Sequence, residues 1–366
     1  MGYEPMKQRH AIAGLGISAG TELKRGHGIP LILNLSARGT NARATIVEIG
    51  TGTAIQEKNL PLNKQLFPLL VEEKKEVENL FRFGRLEEAQ SRIRGLGKVV
   101  YRHTLGPLGL RKLFEDGGYV VNIRCEGDAL HIPLEIAFHN RFLFERNVLT
   151  MRGTNDPSGR TVPVRRALII ADPSGRYACS VHEGLLLHDF FRTIGLASTL
   201  IARPLRKEVL TDLISRYDIV HFSGHSTIDQ GRTGWDIGRG IFTARDLLTG
   251  HRIPGFVFSS SCGSTLLMGL DFLRAGVMNC VCSRWRIPDV DLTPFILSLY
   301  HRVFQGSQIG LSFQKALEKR YRYGDVLPLV FILQGESEVR YEKSHTRRED
   351  QGVRAKVSER HDDLLQ

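Results

Sequence analysis

From residue 167 onward, five short apolar runs alternate with segments of helical periodicity. The runs fall at 167–171, 219–223, 255–260, 277–285 and 329–334; the helical segments fall near 182–194, 207–216, 243–249, 265–274, 293–304 and 310–321. A run that is apolar throughout, rather than at every second residue, suits a strand buried on both faces. Such strands separated by helices predict an α/β fold, a mostly parallel sheet with helices on both faces. Hydrophobic residues make up 42% of the 366-residue chain, enough for a large core.

Two of the runs end abruptly in small residues and one reactive side chain. The first reads Asp218-Ile219-Val220-His221-Phe222-Ser223-Gly224-His225-Ser226. The second reads Gly255-Phe256-Val257-Phe258-Ser259-Ser260-Ser261-Cys262-Gly263-Ser264. A Gly or Ser cluster after a buried run marks a turn at the carboxyl end of a strand, the edge where open α/β sheets place their sites. A thiol needs a base to become a thiolate near neutral pH, and an imidazole is such a base. The pair His225 and Cys262, in that order with a helical segment between, has the layout of a caspase-type dyad. Taken singly, Cys262 reads as a small buried hydrophobe and His225 as a capping or core histidine.

Upstream, residues 1–28 are Gly-rich and polar and are expected to form a flexible arm. Residues 29–160 read as an α+β segment. It has a hairpin at 30–36 and 44–49, helices at 66–83 and 86–98, and strands at 119–125 and 142–151. The turn-rich stretch 153–160 is the expected boundary, with the core at 161–335 and a charged, disordered tail at 336–366.

Composition excludes several classes. The net charge is +11, but Lys and Arg are spread along the chain, and neither zinc-finger spacing nor RNA-binding aromatics occur. Direct nucleic-acid binding is therefore not expected, and an acidic protein partner fits the charge equally well. The five cysteines are odd in number and irregularly spaced, which argues against a disulfide framework. Cys280 and Cys282 lack a second ligand pair for zinc and read as buried structural thiols. The amino-terminal residues lack a signal peptide's apolar core and no run is long enough to span a membrane, so a cytoplasmic protein is expected. A thiol phosphatase would need Arg six residues after Cys262, where Met268 stands.

The stretch from about 97 to 335 resembles the CHAT family of caspase-like cysteine peptidases, relatives of caspases and separases. The resemblance rests on an ordered series: Leu130-His131-Ile132-Pro133-Leu134-Glu135, Ile170-Ala171-Asp172-Pro173, Gly224-His225, Phe258 to Ser264, Phe272-Leu273-Arg274-Ala275-Gly276, Ser283-Arg284-Trp285 with Asp289 beyond, and Phe331-Ile332-Leu333-Gln334-Gly335. Ser226 and Ser261 stand where members often have Gly and Ala. The resemblance implies a caspase-like fold and a cysteine endopeptidase with His225 and Cys262 catalytic. The backbone N–H groups of Ser226 and Cys262 would hold the oxyanion. It implies neither metal nor cofactor. Asp172, Asp289, Arg286 and Ser260 are the pocket candidates; the two aspartates favour a basic residue before the cut, whereas Arg286 would favour an acidic one. His221, mid-strand, reads as packing. By family analogy the chain would be a regulated effector in bacterial defence or cell death, cleaving a gasdermin-like or CRISPR-linked protein under control of an activating or inhibitory partner. The alternative is a catalytically silent CHAT scaffold that binds partners.

Overall fold

The computed structural model describes residues 29–39, 41–48, 54–152, 159–229, 232–250, 252–261 and 266–344. The arm at 1–28, Cys262 with the turn that follows it, and residues 345–366 lie outside the described residues.

An eleven-stranded sheet organises the molecule. Its strands in chain order are β1 (Ile29–Arg38), β2 (Asn41–Glu48), β3 (Ala54–Pro61), β4 (Tyr119–Gly127), β5 (Val148–Met151), β6 (Arg166–Ala171), β7 (Ala197–Ile201), β8 (Ile219–Gly224), β9 (Phe256–Ser261), β10 (Asn279–Ser283) and β11 (Phe331–Gly335). In space they run β7-β6-β8-β9-β10-β11-β5-β4-β1-β2-β3. Strands β6 to β10 are mutually parallel, whereas β11 lies antiparallel to β10. Strands β11, β5, β4 and β1 are parallel to one another, and β2 and β3 finish the sheet as an antiparallel meander. The helices are α1 (Leu66–Arg82), α2 (Leu86–His103), α3 (Arg111–Glu115), α4 (Ala178–Thr193), α5 (Lys207–Ile214), α6 (Leu266–Arg274), α7 (Thr293–Phe304) and α8 (Ile309–Arg322).

Burial explains the sequence pattern. Every residue of β8, β9 and β10 is buried, so both faces need apolar or hydrogen-bonded side chains. In β2, buried positions alternate with others along most of the strand, as expected where one face meets solvent. Helix α2 buries Ala89, Ile93, Leu96, Gly97 and Val100, a stripe at helical spacing. Gly97 belongs there because a Cβ would come within 2.2 Å of the Ile136 carbonyl oxygen.

The chain leaves β6 for the edge strand β7, then crosses back to β8 and proceeds outward to β9 and β10. The order therefore reverses between β6 and β8, and the crevice beyond their carboxyl ends is where such sheets bind ligands. The two halves of the sheet meet at β11 and β5, which share the register pair Gln334–Met151. The expected boundary at 153–160, of which 153–158 lie outside the described residues, thus does not interrupt the sheet. A buried ion pair reinforces the joint: the Arg284 guanidinium engages the Glu135 carboxylate, and its Nη1 donates to the Leu130 carbonyl at 2.8 Å.

Three expectations change. Strand β7 and the short hairpin after β8 escape the sequence reading because their residues are mostly polar or small. Strand β3 does too, because charged Glu57 and Lys58 interrupt it. The stretch placed in a disordered tail at 336–366 is ordered in its described part, to residue 344: Arg340–Lys343 forms a strand parallel to Thr161–Val164. Tyr341 is fully buried and its hydroxyl bonds to the Gly255 carbonyl and Asn279 Oδ1 at 3.0 and 2.8 Å. Two apolar residues, Val339 and Tyr341, among charges were too few to show a pattern.

Candidate active site

Strands β8 and β9 pair in register from Ile219–Phe256 to Gly224–Ser261. The last pair precedes His225 on one strand and Cys262 on the other. Gly224 and Ser261 are both buried, so each strand keeps its pairing to its final residue. His225 begins a tight return: residues Ser226–Asp229 pair antiparallel with Arg232–Asp236, and the Asp236 N–H donates to the His225 carbonyl at 2.9 Å. The His225 ring stacks on Tyr177, centroids 5.7 Å apart and planes 18° apart. Partial burial lowers the imidazole's pKa below the ordinary histidine value; Arg176 and Arg286 push the same way and Asp236 opposes them. The shift favours the neutral ring, the form able to accept a proton. Ser226 is buried, and its hydroxyl has no hydrogen-bond partner among the described residues.

Beside His225 lies a narrow cleft of about 20 Å³. Tyr177, Ser180 and Glu183 form one wall, Ser223 and Gly224 with Ser260 and Ser261 form the floor, and residues 287–290 with Leu292 form the other wall. Glu183 is the residue that sequence reasoning missed. Its carboxylate is buried, 2% exposed, and takes His221 Nε2 at 2.8 Å and the Ser260 hydroxyl at 3.3 Å. His221 also meets the Tyr300 hydroxyl at 3.3 Å and stacks on Phe258. Gly184 makes this possible: a Cβ there would clash with Ala171 at 2.5 Å, so only glycine lets α4 lie this close to β6. The available signal was periodicity, since Glu183 falls on the same helical stripe as Leu187 and Phe191.

The other candidates divide. Ser260 lines the cleft, as does Asp289, whose Oδ2 accepts the Cys179 N–H at 3.2 Å. Asp172 is absent from the lining. It adopts a positive φ of 41°, and both carboxylate oxygens serve its own turn: Oδ1 accepts the Ser174 hydroxyl at 2.7 Å and Oδ2 the Tyr177 N–H at 2.5 Å. That turn delivers Tyr177 to His225. Arg286 is exposed, with its backbone N–H held by Glu78 of α1 at 2.8 Å.

Three thiols elsewhere are muted. Burial pushes Cys125 up to about 12 and raises Cys179 and Cys280 as well. Among the described residues no cluster of His, Cys, Asp or Glu is arranged to hold a metal ion, and no helix is long and apolar enough to cross a membrane.

Comparison with known proteins agrees with this geometry. The CHAT domain family matches residues 94–323. Two crystal structures of the Saccharomyces cerevisiae separase–securin complex share the fold, with TM-scores of 0.58 and 0.64 at 10% and 11% identity. Each match covers 85% of this chain but 30% of the matched chain, so the likeness is to one part of a much longer protein. No curated protein sequence matches. The mostly parallel sheet, the strand-end site and the matched residues together establish that this chain belongs to the CHAT domain family, on the caspase-like fold that separase shares.

Proposed function

We propose that the protein is a cysteine endopeptidase with His225 and Cys262 as its dyad. The observation that carries this reading is the register of β8 and β9, whose final pair, Gly224–Ser261, immediately precedes both residues. Covalent geometry keeps the Cys262 Cα about 3.8 Å from that of Ser261. In the proposed mechanism His225 takes the Cys262 thiol proton, and the sulfur attacks the scissile carbonyl carbon. The C–N bond then breaks as His225 gives the leaving amine a proton, leaving a thioester. Water, deprotonated by His225, hydrolyses the thioester and frees the thiol. Backbone N–H groups of Ser226 and Cys262 would stabilise the oxyanion.

The cleft beside His225 would take the side chain that precedes the cut. With Glu183 on one wall and Asp289 on the other, a basic side chain is the best match. At about 20 Å³ the cleft leaves room for about one water molecule. This supports a latent state, opened when the 286–292 segment moves on binding of substrate or an activating protein. The presence of the shared fold in a separase–securin complex supports control by a protein partner. Family resemblance supports a bacterial defence or cell-death setting with a specific protein as substrate.

The test is an irreversible thiol-directed peptide probe applied to wild type, Cys262→Ala and His225→Ala, beside cleavage of a peptide library. Labelling and cleavage should both vanish in Cys262→Ala, and cleavage should vanish in His225→Ala. Cleavage by Cys262→Ala at the wild-type rate would refute the mechanism. Absence of Cys262 labelling in every state would leave the scaffold reading.

A further inference from the structure

Trp235 sits between the two arms of the site on the face of the sheet opposite Glu183. It is fully buried and belongs to the strand Arg232–Asp236, where its register partner is Ser226. Its ring lies parallel on Phe222, centroids 4.5 Å apart and planes 4° apart. Its Nε1–H donates to the Ser259 hydroxyl at 2.9 Å, and Ser259 Oγ lies 3.0 Å from Ser261 Oγ. Phe222 and Ser259 are themselves register partners, each three residues before a member of the proposed dyad. The indole also packs on Phe272 of α6, at 5.1 Å. One side chain thus touches the strand before His225, the strand before Cys262 and the helix that begins at Leu266. The Ser283 hydroxyl adds a bond to the Ser261 carbonyl at 3.1 Å.

We propose that Trp235, through its hydrogen bond to Ser259, is a positioning residue that fixes the separation and orientation of the His225 and Cys262 strand ends. The inference rests on the dyad reading above. The mechanism is mechanical: an indole is rigid, and its N–H makes a buried bond that has no water to replace it. Ring stacking alone would hold Phe222 but would leave Ser259 free to settle differently. A displacement near 1 Å at reacting atoms costs roughly a hundredfold in rate. The small serines at 259 and 261 thereby acquire a role beyond packing.

The test measures the alkylation rate of Cys262 against pH by mass spectrometry, which needs no substrate and no activating partner. Wild type, Trp235→Phe, Ser259→Ala, Ser259→Thr and the Trp235→Phe/Ser259→Ala double variant are compared, with melting temperatures as the folding control. Wild-type Cys262 should react well below the ordinary thiol range near pH 8.5. Trp235→Phe and Ser259→Ala should each move the profile toward that range and slow alkylation at pH 7 about tenfold or more. Ser259→Thr, which keeps the acceptor, should retain the wild-type profile, and the double variant should lose no more than either single one. If Trp235→Phe fails to fold, Ser259→Ala alone decides. A depressed wild-type profile unchanged in Ser259→Ala would overturn this proposal and leave the dyad standing, as would additive losses. A wild-type profile like that of an ordinary thiol would overturn both.

Discussion

The two halves of the sheet differ in what their buried polar groups do. In the parallel half, β6 to β10, the polar groups converge on one edge: Glu183, His221, Ser223, Ser260 and Ser261 crowd the carboxyl ends of β8 and β9. In the half built from β1 to β5 with α1 and α2, no such convergence occurs. There the core is mainly aliphatic and aromatic; buried Asn147 ties the Tyr119 N–H to the Leu113 and Leu143 carbonyls far from the cleft, and two other polar contacts reach across to the other half, Glu135 to Arg284 and Glu78 to the Arg286 N–H. The contrast assigns labour. In the proposed reading one half carries the chemistry, and the other braces the wall of its cleft, since Arg284 and Arg286 flank Trp285 at the start of the segment that forms the wall.

The largest break in this division should come from Arg284. Arg284→Ala strands the buried Glu135 carboxylate and should cost about 3–5 kcal/mol in denaturant unfolding. Replacing both partners, as Arg284→Met with Glu135→Leu, should recover most of that loss. A single variant with wild-type stability would show that the joint is held elsewhere.

Glu183 sharpens the comparison from the side of the chemistry. Glu183→Gln keeps a hydrogen-bonding group for His221 and Ser260 but removes the charge. Cleavage after Arg or Lys, relative to neutral residues, should fall by about 1.5–3 kcal/mol, tenfold or more. Asp172→Asn, whose carboxylate serves a turn, should change the preference little. A preference that follows Asp172 instead would reassign the pocket.

The smallest effect concerns Arg286. Its positive charge helps hold the His225 pKa low, so Arg286→Gln should raise that pKa. Because neutral imidazole is the competent base, the acid limb of the kcat/KM profile should move to higher pH, by a fraction of a unit, and less at high salt. A shift to lower pH would contradict the sign of the interaction.

What was legible in the sequence follows from the same contrast. The buried strands β6, β8, β9 and β10 were plain because their burial on both faces leaves an uninterrupted apolar run. His225 was plain because Gly224 ends that run. Glu183 was not, since an acid in a helix is ordinarily solvated, and only the close docking permitted by Gly184 brings it under the sheet. Asp172 stands at a strand end, a place that suits a pocket, but both of its carboxylate oxygens are taken by its own turn, through the Ser174 hydroxyl and the Tyr177 N–H. Edge strands β3 and β7 carry too few apolar residues to betray themselves.

The strand Arg340–Lys343 has one more implication. By pairing with Thr161–Val164 it brings the entry and exit of the half that carries His225 side by side. The Tyr341 hydroxyl fastens that seam to Gly255 and Asn279, at the amino-terminal ends of β9 and β10. That is the opposite rim from His225, separated by a six-residue strand, roughly 20 Å. A closed circuit of this kind accepts attachments at its seam as a keyring accepts keys. Sequence appended there lies at the rim opposite His225 and does not have to cross the cleft.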